Sequence, residues 1–306
     1  MKLLYEGVDI TGKVSINQCE HETFAEKRSD RLLIRFNDGA GLWNHWKPAR
    51  GEKVQLIDGA SDTGVMYVTA IVPENGLFTL RAMSMPTTGE NVNSRSWEDA
   101  RLLQIGADIA AKHGLKFKSY YVTDRMYPYI RQERQTDFEF YHRLCQLEGC
   151  AMLIYDETLV IYDEHQMEAQ AATETIKIGA DGRFQYSDDS AQCFGTAEIV
   201  SGSFRGTYTD KNANPRRVLQ PKAAIECNST TEAVRFARGL LRAANKNART
   251  GCFRRTLSRG IAAASVINIE TDKASVWNGK VFVTKTRHNF VTGETKVFFR
   301  IPLEGY

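Results

Sequence analysis

The sequence predicts an α+β chain that is mainly β: two β-barrels, a small helix and hairpin segment between them, and a helix inserted in the second barrel. Three observations carry that expectation. Period-two alternation of apolar and polar residues dominates residues 1–88 and returns after residue 171. Turn pairs rich in Asn, Asp and Gly divide those runs. Three further stretches show helical spacing of apolar residues behind a Ser or Thr able to cap a helix. The expected units are 1–88, 89–170 and 171–306.

In the first unit, RLLIRF (31–36), KVQLI (53–57), GVMYVTAIV (64–72) and LFTLRAMSM (77–85) are β-rich, with turns at Asn37-Asp38-Gly39, Asp58-Gly59 and Asn75-Gly76. Short strands at close spacing with no helix between them argue for a small barrel or sandwich. Trp43 and Trp46 lie between the first two runs, where two close tryptophans would plug the end of such a barrel. The polar, turn-rich 85–94 marks the boundary.

In the middle unit, Ser96 is expected to cap a helix over 96–113, with Leu102, Ile105 and Ile109 on one face and Gly114 ending it. A second helix, 136–148, opens on a capping box: Thr136 bonds the third helical amide while Glu139 reaches back to the cap amide. Gly149 stops it. A hairpin over 151–163 turns at Glu157-Thr158, and the alanine-rich, polar 164–175 reads as a linker.

The third unit alternates again through ETIKIG, 198–210, 251–258, 265–271, 279–290 and 295–303, with turns at Gly179, Asp181-Gly182, Asn278-Gly279 and Thr292-Gly293. A helix over 229–248 interrupts it. Ser229 and Glu232 read as another capping box, with Val234, Phe236, Ala237, Leu240, Leu241 and Ala244 on one face and Arg235, Arg238, Arg242 and Lys246 on the other. Such a basic stripe is first of all a solvated face, or the partner of an acidic neighbour.

Several function classes fall away. The chain of 306 residues has a negative mean hydropathy and no apolar run long enough to span a bilayer, so a soluble protein is expected. MKLLYEGVDITGK carries Glu6 and Asp9 within too short an apolar core for a secretory signal, which places folding in the cytoplasm. The six cysteines stand singly and read as small buried hydrophobes. His142, Cys145 and Cys150 match no zinc spacing, so neither metal nor cofactor is expected. The carboxylates over 137–164 each have a local role as cap, turn or strand end. No GxSxG, HExxH or phosphate loop is present, and no catalytic residue is expected. Net charge is +3, and basic residues greatly outnumber acidic ones over 205–259, densest at Arg216-Arg217, the helix stripe and Arg254-Arg255. Nucleic-acid binding through that region is the main alternative from another class, and cell-wall hydrolysis a remote one.

RQERQTDFEFYHRLCQLEG (131–149), followed by a hydrophobic hairpin, resembles the late control protein D family, the trimeric baseplate hub proteins of contractile phage tails, and the related hub portion of type VI secretion spike proteins. Glu133-Arg134-Gln135 stands where the usual spelling has Arg-Glu. SRSWEDARLLQIGADIAAKHGL (94–115), the tryptophan segment, the 229–248 helix and the closing WNGKVFVTKTRHNFVTGETKVFFRIPL (277–303) resemble the same family, so the likeness spans nearly the whole chain. The resemblance implies two tail-tube-like barrels per chain, a homotrimer joining a sixfold tail tube to a threefold central spike, and a place in the baseplate of a virion or tail-like particle assembled in the bacterial cytoplasm. Its implied partners are the tail tube protein and the spike, then tape-measure and baseplate wedge proteins, with no membrane and no cofactor. Hub proteins fused to wall-cutting domains carry them beyond the hub, and here Tyr306 closes the chain directly after the last barrel strand. Trp43, Trp46, Arg235, Arg238, Arg242 and Lys246 are the expected interface residues, because large aromatics and arginines anchor interfaces.

Overall fold

The computed structural model describes residues 1–26, 29–179, 182–210, 217–272 and 274–304. Asp181, Arg216 and Tyr306, named above, lie outside the described residues. The first β-rich stretch forms β1 (Lys2–Tyr5), β2 (Val8–Asp9), β3 (Ser15–Phe24), β4 (Arg31–Asn37), the short helix α1 (Leu42–Trp46), β5 (Lys53–Asp58), β6 (Ser61–Asp62), β7 (Met66–Glu74) and β8 (Leu77–Met83). The alternation in β4 and β8 puts Leu32, Ile34 and Phe36 opposite Ala82, Leu80 and Phe78, all buried in one apolar cluster.

The middle stretch forms β9 (Val92–Arg101), α2 (Leu102–Lys112), β10 (Lys116–Tyr120), β11 (Met126–Thr136), α3 (Asp137–Leu147), β12 (Cys150–Tyr155), β13 (Thr158–Asp163) and α4 (Glu164–Ala169). The helix expected from Ser96 begins instead at Leu102. Residues 92–101 are a strand paired antiparallel to β11, with Trp97 against Ile130 and Ala100 against Tyr127. Local sequence could not show this, because the cap of α2 is remote: Asp124 accepts the Leu103 amide at 3.0 Å, and the Arg125 carbonyl accepts that of Leu102 at 2.8 Å. The α3 capping box is formed as written, with both Thr136 and Glu139 engaged. The 164–175 linker is helical in its first half, capped by Asp163 on the Gln166 amide at 2.8 Å.

The last stretch forms β14 (Thr175–Lys177), β15 (Gln185–Asp188), β16 (Thr196–Ser201), β17 (Phe204–Thr209), β18 (Val218–Leu219), α5 (Thr230–Asn245), β19 (Arg249–Thr256), β20 (Val266–Glu270), β21 (Gly279–Asn289) and β22 (Glu294–Arg300). Fourteen strands from the first and last stretches join one sheet, ordered β15-β19-β22-β21-β3-β4-β8-β7-β5-β1-β2, with β6, β14 and β20 attached at its side. The chain is thus α+β and mainly β. Its long sheet is open among the described residues, ending at β15 and β2. Two separate apolar cores nonetheless flank it, one built around Trp43, Phe36 and Leu80, the other around Phe253, Val283 and Phe299.

The seam between those halves is the antiparallel pair β3 and β21, with His21 opposite His288 and Thr23 opposite Thr286. The middle segment is pinned to it. Tyr162 on β13 donates to the Ala25 carbonyl at 2.7 Å inside a small cluster with Val266 and Phe282. The β12–β13 hairpin tip reaches the first half: Asp156 accepts the Val65 amide at 3.1 Å, and a Cβ on Gly64 would fall 2.8 Å from that of Asp156. Gly64, at φ +62°, therefore serves both a left-handed turn and a close approach.

Helix α5 interrupts the last stretch between β15 and β19, which pair with each other. β16, β17 and β18 form their own three-stranded sheet, and α5 packs on it and on α3. Phe236, Ala237 and Leu241 share the largest apolar cluster with Ile105, Tyr141 and Leu144 of the middle segment. Two glycines permit this: Gly206 on β17 lies against the backbone of Ala233 and Val234, and Gly239 on α5 against the Leu147 carbonyl.

Candidate interaction surface

Helix α5 carries four of the six residues expected at an interface. Ser229 caps it by accepting the Glu232 amide at 3.1 Å. Glu232 does not complete the box at Ser229; its carboxylate accepts the Asn228 amide at 2.7 Å. Burial then departs from the sequence pattern. The buried side is Glu232, Ala233, Phe236, Ala237, Gly239, Leu241, Arg242 and Asn245, whereas Val234 and Ala244 are exposed.

Arg242 and Lys246 are therefore not a solvated face. Arg242 is 3% exposed and donates through Nε to Glu164 at 3.0 Å and through Nη2 to Glu168 at 2.8 Å. Lys246, 5% exposed, bonds Glu26 and Glu164. Arg300, at the end of β22, completes the group by donating to Glu168 at 2.7 Å and lying 3.5 Å from Glu26. Three cations face three carboxylates, drawn from α4, α5, β22 and the turn after β3. Burial alone would raise the Glu164 carboxyl, but Lys246, Arg300 and Arg242 hold it at about 2. Glu26 moves the other way, raised by burial and by the Glu164 charge against the pull of Lys246 and Arg300. The sequence hid this because the glutamates sit in a stretch that reads as linker, and Arg300 in a closing strand.

Arg235 and Arg238 remain at the surface. Arg235 is partly covered and pairs with Glu148 at 2.7 Å, while the exposed Arg238 lies over the Tyr208 ring. Trp43 is withdrawn, being 1% exposed. It stacks on Phe78 at 4.7 Å with an interplanar angle of 1° and meets Phe36 at 4.6 Å. Trp46 is edge-on to it at 5.1 Å and half-exposed, so the pair plugs the first apolar core and presents only Trp46 outward.

Two surface features escaped the sequence reading. The β9–β11 ribbon is a two-stranded sheet whose Val92, Met126 and Tyr129 are exposed. Beside it, β11, α3 and residues 224–228 line a groove of about 500 Å³ with an apolar floor from Phe140, Leu144 and Phe236. The ribbon depends on residues 92–101 being a strand.

His142, Cys145 and Cys150 do not converge on a metal site, and no group of three or more His, Cys, Asp or Glu able to hold an ion occurs among the described residues. Cys145 and Cys150 are buried in the central core, which pushes both thiols far above their ordinary range. No described helix is long and apolar enough to cross a membrane.

No curated protein matches the chain in sequence. Solved structures share its fold. A 43 kDa tail protein of prophage MuSo2 from Shewanella oneidensis superposes with a TM-score of 0.75 at 12% identity, covering 98% of this chain and 97% of its own. A tail protein from Neisseria meningitidis MC58 gives 0.75 at 11% identity, covering 98% and 95%. An E. coli component of the type VI secretion system, described as structurally similar to T4 bacteriophage tail proteins gp27 and gp5, gives 0.64 at 14% identity, covering 100% and 79%. The family model of the phage tail baseplate hub (GPD) matches residues 58–293, well over half of the chain, and the chain therefore belongs to the phage tail baseplate hub family.

Proposed function

We propose that this chain is the trimeric adaptor of a contractile tail or tail-like injection particle, joining a sixfold tail tube to a threefold central spike. In this reading residues 1–88 and 171–306 each supply a tube-like barrel to the ring, and 89–170 braces them. The observation that carries it is the pair of separate β cores on either side of the β3–β21 seam. Three chains with two such units each present six similar β surfaces toward a tube and three identical faces toward a spike. Tape-measure and baseplate wedge proteins would bind outside that ring. The role is mechanical, with no catalytic residue in it.

Nucleic-acid binding by 205–259 is disfavoured because several of its arginines are already compensated. Arg205 meets Glu198 at 2.6 Å, Arg249 meets Asp188 at 3.4 Å, Arg254 meets Glu294 at 3.0 Å and Arg259 meets Asp58 at 2.7 Å. The test is co-sedimentation of the purified chain with its cognate tube and spike proteins. Joint migration with both supports the adaptor; failure to bind either at tens of micromolar overturns it.

A further inference from the structure

Among the described residues, β3–β21 is the single strand pair that joins the first stretch to the last. Four buried positions along it are polar: His21 and Thr23 on β3, Thr286 and His288 on β21. Thr23 accepts the Ala263 amide at 2.9 Å and meets the Thr286 hydroxyl at 2.7 Å. Thr286 and the Ile261 carbonyl each lie 3.1 Å from His288 Nε2, and Thr295 lies 2.9 Å from Nδ1. A carbonyl only accepts, so Nε2 carries the hydrogen and Nδ1 accepts from Thr295, whose oxygen already takes the Ser258 amide. His288 is thus satisfied as a neutral ring.

His21 is not satisfied. Both its nitrogens are buried without a protein partner, a standing cost that parting the strands and admitting water would remove. No carboxylate shares the pair's side of the sheet. Glu22 projects to the other side, held by Lys285 at 2.6 Å and Arg287 at 2.7 Å, and its cross-strand neighbours Arg31 and Lys296 share that side. Glu20 and Glu294, both in line with Asn289, lie there too. On the pair's own side, burial pushes the Cys19 thiol up to about 12, so it stays neutral. The one charge of the covering 258–265 segment, Arg259, is bound to Asp58 at 2.7 Å. An imidazolium formed here would face the second imidazole and no counter-charge.

We propose that the β3–β21 seam is an acid-labile joint: protons taken up by His21 and His288 part the two strands while the apolar cores on either side stay folded. Each core has strand pairs of its own to hold it, β4–β8 and β7–β8 in one half and β19–β22 in the other. Parting leaves β3 on β4 and β21 on β22, so the opening is local. The joint is independent of the adaptor role.

The experiment is hydrogen–deuterium exchange of the full chain, read by mass spectrometry at pH 7, 6 and 5 and corrected for the intrinsic rate at each pH. An opening that admits a proton to one imidazole becomes about tenfold more frequent per pH unit below about 6.5. Between pH 6 and 5, peptides from β3 and β21 should therefore lose protection by up to about a hundredfold, while peptides from β7, β8 and β19 keep theirs. In His21→Leu the loss at the seam should shrink to about tenfold, because one proton fewer is taken up. Unchanged protection at the seam overturns the proposal, and so does an equal loss over all strands, which is whole-molecule unfolding. The parent's own pattern of local against global loss decides this without any variant. An undiminished acid loss in His21→Leu also overturns it.

Discussion

His21 and His288 face each other across the β3–β21 seam, in register and with ring centroids 6.3 Å apart, both buried between the two β halves. His288 is held by Thr286, Thr295 and the Ile261 carbonyl, whereas neither ring nitrogen of His21 has a protein hydrogen-bond partner. Burial, then the neighbouring His288, lowers His21 to about 3 despite Glu22, and burial lowers His288 as well.

The sign of the resulting pH dependence follows. Below pH 6.5 the unfolded chain takes up protons on both histidines while the folded seam resists them, so stability falls as pH drops from 6.5 toward 3. The slope is at most about 1.4 kcal/mol per pH unit for each histidine. Urea titrations of the parent and His21→Leu between pH 7 and 4 check this: the variant should lose less stability over that range, and parallel curves would remove His21 from the account.

The Arg242 network should behave as a clamp. Arg242→Met leaves Glu164 and Glu168 buried with less compensation and is expected to cost about 3–5 kcal/mol by urea unfolding. Adding Glu168→Gln should recover part of that loss, giving a measurable coupling energy. In the parent, the Glu164 contribution is complete above about pH 4.5 and is lost as pH falls through about 2, because its folded-state value is depressed.

Gly239→Ala tests the α3–α5 crossing. Alanine is the better helix former by about 1 kcal/mol. Here its Cβ would lie 2.1 Å from the Leu147 carbonyl oxygen, so a net loss of about 1–3 kcal/mol is expected. Gly260→Ala, with nothing within 4 Å of the new Cβ, is the neutral comparison.

Much of this architecture was legible because its cues are local. Thr136 and Glu139 announce α3, and the alternation over 31–36 and 77–83 announces a β pair. The rest depends on contacts remote in sequence. Ser96-Trp97 looks like a helix start until β11 returns beside it and Asp124 supplies the cap. The basic residues of α5 look solvated until Glu164, Glu168 and Glu26 are brought under Arg242 and Lys246. Arg242 and Lys246 were legible as unusual residues, but not as interior ones.

Surface replacement separates assembly from folding. Arg238→Glu changes an exposed side chain, so unfolding should shift by less than about 1 kcal/mol, whereas Trp46→Ser also removes a half-buried ring from the edge of Trp43 and should cost more. Assembly with tube or spike should weaken several-fold by sedimentation. Unchanged assembly would take both residues off the interface.

The most direct test is the solution mass by light scattering across low to high micromolar concentrations, alone and with saturating spike protein. The account predicts an approach to three copies of the 34.5 kDa chain, reached at lower concentration with spike present. A mass that stays at one copy in both conditions would contradict it.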